Sequence, residues 1–403
     1  MADDISPEQK LIARIGAGLT AAATPTPMVK HHLDQLSVQW RAETVTVAQP
    51  KEVFVVHTTE GRTTLAHSPS SYRFDQTAEL FTLVEDASSG SVTPREGLQK
   101  INEIDTMAPT FGAVWRYFGF LLLIVGLGLA QHPGVNELIA VSSIGTVIAA
   151  ILLTQPKWGA LSIMAPVTAA FVATAGVELL LNNEIVIEPT KVVTPLLAAF
   201  IPGASLAVGT MELAKQASTA GAGRLMEAFY QLAALALGIV IAFTIFPLKI
   251  GEPDVTFSWW VRPVGVALYA LGCGLAFSAS RRTLWSLVPV VLGAWLVQQI
   301  LDLWLPGYLP GMVAGATGVL IAQGIYYWYG GAPPLVTLNP IFRLVAPGGL
   351  SLLGFAAIAA GEDFGVSVGA TIFSFIAVSI GMAVGLAISK TSLTPVLLRR
   401  TEE

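Results

Sequence analysis

Ten stretches of this chain, each at least 18 residues long, contain no Asp, Glu, Lys or Arg: 117–136, 138–156, 158–177, 192–211, 228–248, 263–280, 283–301, 303–342, 344–361 and 364–389. A helix needs about 20 apolar residues to cross the hydrocarbon core of a bilayer. In lipid, every backbone polar group must be satisfied internally, so spanning structures are helices or closed barrels. Charge-free stretches of this length predict an α-helical polytopic membrane protein with about ten transmembrane helices. The long eighth stretch holds one span and the start of the ninth, divided by the breaker Gly330-Gly331-Ala332-Pro333-Pro334.

Charge is concentrated at the front. Residues 1–110 carry 9 Lys/Arg and 14 Asp/Glu, while residues 111–403 carry 13 of each. The expected organisation is a small α+β cytosolic domain over 1–110, then two five-span halves over 111–250 and 251–403. The formal net charge of −5 argues against a nucleic-acid partner. The single cysteine, Cys273, lies in an apolar run and reads as packing. The opening MADDISPEQK is acidic and no signal-peptide core follows it, so the front domain is expected in the cytoplasm.

Within that front segment, Ser6-Pro7-Glu8-Gln9 and Thr93-Pro94-Arg95-Glu96 are helix-start patterns. Leu11, Ile12 and Ile15 mark a first helix, and Val29, Leu33 and Leu36 a second. Alternation at Val45/Val47, 53–57 and 63–67 predicts strands, with Glu60-Gly61 as a turn. The histidines His31, His32, His57 and His67 lack the spacing of a metal site.

With the N-terminus inside, the cytoplasmic loops and ends would carry Lys157, Lys215, Arg224, Arg281, Arg282, Arg343, Lys390, Arg399 and Arg400, against Lys191, Lys249 and Arg262 opposite. That is a positive-inside bias, and an even span count returns the C-terminus to the cytoplasm. Trp259 and Trp260 fall where an outer aromatic belt is expected. A multi-pass protein of the cytoplasmic membrane follows.

The halves also repeat. Shifted by 146 residues, 115–130 lies on 261–276 with seven identities, including Arg116/Arg262, Gly119/Gly265, Gly126/Gly272 and Gly128/Gly274. At a shift of 145, Pro195 and Pro202-Gly203 fall on Pro340 and Pro347-Gly348. Five spans is an odd number, so the second half is expected upside down. Inverted repeats with discontinuous helices at a midplane site are a recurrent plan of secondary transporters.

The segment PGASLAVGTMELAKQASTAGAGRLMEAF (202–229) resembles the signature of the threonine/serine exporter family: Pro202-Gly203, then an acid at Glu212, then Gly221, Arg224 and Leu225. Glu212 stands where the family usually has Asp, and Gln216 where it usually has glycine. The front segment resembles the family's cytosolic region, and 347–363, with Gly361-Glu362, resembles its smaller C-terminal module. The resemblance implies proton-motive-force-dependent export of small amino acids, with protons as coupling partner and no cofactor. A related split branch implies dicarboxylates as the alternative solute.

Candidate substrate- or ion-binding residues follow in two groups. Pro202, Gly203, Pro347 and Gly348 would break helices mid-span and expose backbone groups. Glu178 and Asp302 end spans, and Glu212 and Arg224 sit at the join of the fourth and fifth. A buried acid there could pair with a substrate ammonium or carry a proton. The competing reading is headgroup depth, or ion pairs three residues apart such as Glu212/Lys215. Neither an ATP-driven pump nor a membrane enzyme is expected. No G-x-x-x-x-G-K-[ST] occurs, and His132 is the one histidine after residue 110. An uncoupled channel and a homo-oligomer both remain open.

Overall fold

A computed structural model describes residues 6–40, 42, 44–47, 53–58, 63–67, 71–182, 188–246, 257–346 and 373–388. The front segment forms α1 (Pro7–Ala21), α2 (Thr26–Gln39), β1 (Thr44–Val47), β2 (Val53–Thr58), β3 (Thr63–His67), α3 (Phe74–Ser89) and α4 (Pro94–Thr106). Both expected helix starts are capping boxes. The Gln9 N–H donates to Ser6 Oγ at 3.3 Å, and the Thr93 N–H donates to Glu96 Oε2 at 2.9 Å. The strands form an antiparallel sheet in the order β1-β2-β3, with Val47 opposite Val55 and Val55 opposite Leu65. The Glu60-Gly61 turn lies outside the described residues. Leu11, Ile12, Ile15, Leu33, Leu36 and Leu80 form a core distinct from that of the remaining chain.

Beyond residue 110 the described chain is helical: α5 (Ala113–Ala130), α6 (Val135–Thr154), α7 (Ala165–Asn182), α8 (Pro189–Leu197), α9 (Gly203–Ala214), α10 (Ser218–Ile245), α11 (Val261–Ala276), α12 (Arg281–Leu301), α13 (Leu309–Tyr329), α14 (Pro334–Val345) and α15 (Phe373–Ile388). Among the described residues, six helices are long and apolar enough to cross a membrane, and α8 with α9 makes a seventh candidate bent by 64°. Three more apolar helices, α11, α14 and α15, are shorter. The protein is therefore a multi-pass helical membrane protein. The 330–334 breaker behaves as expected: Gly330 is left-handed at φ +60°, and α14 starts at Pro334.

α5 and α11 cross in close antiparallel contact, stripped of side-chain bulk by glycine. A Cβ on Gly126 would lie 2.8 Å from the Gly265 carbonyl oxygen, and one on Gly265 would lie 2.7 Å from the Gly126 carbonyl oxygen. Gly119 presses on Leu275 and Ala276, and Gly272 presses on Leu123. At the two ends, Arg116 Nε donates to the Ala276 carbonyl at 3.3 Å and Arg262 Nε donates to the Ala130 carbonyl at 3.2 Å. The 146-residue shift exchanges these two bonds.

Neighbour relations also recur in the two halves. α6 packs on α5, α7 and α8, and α12 packs on α11, α13 and α14. Gly238 lets α10 press on the Val167 carbonyl of α7, and Gly381 lets α15 press on the Met312 carbonyl of α13.

Two expectations need correction. Arg343 is not a loop charge. It sits in the last turn of α14 and is 8% exposed, so it leaves the set of expected cytoplasmic loop cations. The fifth span does not begin near 228: α10 starts at Ser218, and Arg224 and Glu227 ride on the helix. A charge-free window misses both cases because an arginine can be buried within a span when backbone carbonyls receive it.

Candidate substrate cavity

The bend between α8 and α9 begins at Pro195 inside α8 and passes through a short 3-10 turn, Ala198–Phe200, to Pro202. Proline removes the hydrogen bond that would continue the helix. The carbonyls so freed are taken up by side chains. Arg343 of α14 donates from Nη2 to the Ala199 carbonyl at 2.7 Å and from Nε to the Ile201 carbonyl at 3.2 Å. Gln231 of α10 donates to the Phe200 carbonyl at 2.6 Å. Past the bend, the Ala204 N–H donates to Asn339 Oδ1 at 3.2 Å. Gly203 is required there: a Cβ would lie 2.7 Å from the Phe342 ring.

α14 carries its own internal proline, Pro340, whose carbonyl accepts from the buried Tyr269 hydroxyl at 2.9 Å. Gln298 of α12 donates to the Val345 carbonyl at 3.0 Å. The continuation, including Pro347 and Gly348, lies outside the described residues. Where the two proline-bearing helices meet there is a cavity of about 530 Å³. Ala198, Ile201, Arg262, Trp295, Gln298 and Arg343 are among the residues that wall it, so both halves contribute. A volume of this order suits a small-molecule site.

The cavity opens at the end of the helical region away from the front segment and reaches inward to the bend at Ala198 and Ile201. Its walls include the C-terminus of α5 and the N-termini of α8 and α11. The front segment meets the opposite ends: the Phe74 N–H donates to the Phe277 carbonyl at 3.1 Å, and the Asp75 N–H to the Ser278 carbonyl at 3.0 Å. Tyr326, near the end of α13, hydrogen-bonds Glu85.

Glu212 and Arg224 belong to that opposite end. They form an ion pair at 3.1 Å across the α9–α10 turn, with Glu212 fully buried. The Thr26 N–H and hydroxyl donate to Glu212 Oε1 at 2.8 and 2.9 Å, and Arg224 Nη2 donates to the Thr24 carbonyl at 3.3 Å. The candidate residues thus divide. Pro202 and Gly203 are at the bend, while Glu212 and Arg224 tie the front segment to the spans. Glu178 is buried in α7 beside Thr174's turn, apart from the cavity lining. Asp302 is exposed as the C-cap of α12, where Gln299 of the cavity wall reaches it at 3.5 Å. Partial burial pushes its carboxyl above the usual range, opposed by the Arg262 cation.

Arg343, Asn339 and Gln231 were missed as site residues. The signal was available for the first two. The 145-residue shift that aligns Pro195 with Pro340 places Asn339 and Arg343 inside the second broken helix.

A family model described as "Putative threonine/serine exporter" matches residues 10–246, more than half of the chain. The chain belongs to the threonine/serine exporter family. No curated protein and no solved structure matches it. The family is one of membrane transporters rather than enzymes, which implies a small solute as substrate and a lipid bilayer as surroundings. In this member of the exporter family the matched region takes in the front segment, the 64° bend and the Glu212–Arg224 pair. It ends at α10, before the half that supplies Arg262 and Arg343.

Proposed function

We propose that this chain exports threonine- or serine-like amino acids by alternating access between two inverted five-span repeats, 111–250 and 251–403. Their broken helices flank the substrate site at the midplane. The observation that carries this reading is the bend at Ala198–Gly203, whose freed carbonyls are held by an arginine of the opposite half in the wall of a 530 Å³ cavity. Irregular backbone at membrane depth is tolerated where it lines a cavity or is buried in protein, and broken helices at a repeat interface are where secondary transporters bind substrate. The reciprocal Arg116–Ala276 and Arg262–Ala130 bonds support an inverted pair, because an antiparallel crossing that maps onto itself is what a two-fold in the membrane plane produces.

On this reading α5 to α10 supply five spans, with α8–α9 as one, and α11 to α15 supply the other five. Residues 1–110 are a cytosolic α+β domain, both termini are cytoplasmic, and the bilayer is the cytoplasmic membrane. The cavity then faces outward, while Glu212, Arg224, Thr24 and Thr26 close the cytoplasmic end. Transport requires that closure to open as the outer end closes. The chain carries no phosphate-binding loop, and the reading takes the proton motive force as driving force.

Purified protein in proteoliposomes, loaded with labelled threonine or serine, tests the proposal. Efflux should accelerate with an imposed pH gradient or voltage. Flux indifferent to both would make the protein an uncoupled facilitator, and no flux would remove the assignment.

A further inference from the structure

We infer that the cavity is a carboxylate site, with Arg343 and Thr194 as its contact residues and Arg262 as its second cation. This rests on the transport reading only in taking the cavity as the place where solute is held. Two buried polar groups in its wall have no hydrogen-bond partner among the described residues: Nη1 of Arg343 and Oγ1 of Thr194. Thr194 is 5% exposed and Arg343 8% exposed. Buried polar atoms are nearly always paired, so two orphans on one cavity point to something that pairs them. Both groups can donate, and a carboxylate accepts from both.

The charge balance favours the same class. The cationic side chains in the wall are Lys191, Arg262 and Arg343; the acid is Glu188. Glu188 is already engaged by Lys191 at 2.9 Å and by the Thr190 hydroxyl at 2.8 Å. Arg343 spends Nε and Nη2 on neutral carbonyls and makes no ion pair with a described residue. Arg262 spends Nε on the Ala130 carbonyl and rests 5.4 Å from the Trp295 ring centroid. Among the described residues, therefore, neither guanidinium is in an ion pair, and the one acid whose charge acts on either is Asp302, which is exposed, on Arg262. A buried arginine held at Nε and Nη2 by carbonyls and unpaired at a buried Nη1 is arranged to receive a carboxylate, and an ammonium group finds no unpaired acid among the described residues of this wall. The solute is read by its carboxylate, and the amino group is dispensable for binding.

Thermal unfolding of the purified full-length protein tests this with three probes: L-threonine, L-lactate, which has no ammonium group, and L-threoninol, which has no carboxylate. Threonine and lactate should raise the midpoint and threoninol should not. R343Q should weaken the carboxylate response about ten- to a hundredfold, since a bond to a charged donor is lost. T194V, which keeps the shape, should weaken it severalfold. If R343Q does not fold, phenylglyoxal labelling of Arg262 in the unaltered protein decides, with threonine and lactate slowing it and threoninol leaving it unchanged. Stabilisation or protection by threoninol equal to that by threonine overturns the inference, as does the absence of any response to either carboxylate. Arg343-dependent binding of lactate and threonine without threonine flux would instead sink the transport assignment and leave the carboxylate site standing.

Discussion

Replacing Glu212 with Gln isolates the tie between the front segment and the spans. The carboxylate accepts three bonds: two on Oε1 from Thr26 and one on Oε2 from Arg224 Nε. An amide of the same shape keeps one acceptor oxygen and turns the other position into a donor. If the oxygen stays with Thr26, an N–H faces Arg224; if it turns to Arg224, an N–H faces the Thr26 N–H. Either way a charge-assisted bond worth about 1.5–3 kcal/mol is weakened or lost. Arg224, with its side chain 11% exposed, also keeps a charge with no counter-ion at this contact, which brings the total to about 3–5 kcal/mol.

R224M should cost a similar amount for the converse reason, and E212Q/R224M should cost less than the sum by at least about 1 kcal/mol, because neighbouring sites couple. Denaturant unfolding of the purified variants measures all three. Limited proteolysis near residue 25 should accelerate in E212Q, and threonine efflux should fall with it. Costs that add within about 0.5 kcal/mol would refute the pairing as an energetic unit. Unaltered proteolysis and efflux in E212Q would refute the closure assigned to it.

Other expectations follow from backbone geometry. G126A and G272A should each destabilise the protein by about 1–3 kcal/mol, since the two helix axes must separate to admit a methyl group. The exchange symmetry of the crossing requires the two costs to agree within a factor of two, and one harmless substitution would break that argument. Gln216 holds φ at +61° in the α9–α10 turn, so Q216G should raise the unfolding midpoint by an amount equivalent to about 0.5–1 kcal/mol. A lower midpoint would mean that the Gln216 side chain contributes something its exposed position does not suggest. G203L should abolish efflux while the protein still inserts, because the added side chain meets Phe342 and Asn339; flux at the unaltered rate would make the bend a plain kink.

Much of this architecture was legible from composition and punctuation. A run without Asp, Glu, Lys or Arg has few ways to be stable except in a helix in lipid, and Gly330 with Pro333-Pro334 ends α13 and starts α14 by local backbone preference alone. Ser6 and Thr93 announced their caps three residues ahead. The left-handed turn at Gln216 was marked by a departure from the glycine that the exporter family resemblance places there. These signals depend on a few adjacent residues, so the one-dimensional order contains them.

The site did not yield in the same way. Arg343 reads in sequence as a charge flanking a span, and only packing of α14 against the α8–α9 bend turns it into the group that satisfies two carbonyls 142 and 144 positions away. Glu212 and Arg224 read as one family signature, yet their partners are Thr26 and Thr24, supplied by a segment that the chain folds back some 186 and 200 positions later. The sequence by itself determined that the described chain after residue 110 is largely apolar helix, and it marked the breaks at Pro202-Gly203 and at 330–334. Tertiary structure decided which freed carbonyl meets which charge, because a buried ion's position is set by the few places where its desolvation can be repaid, and those places are made by elements distant in the chain.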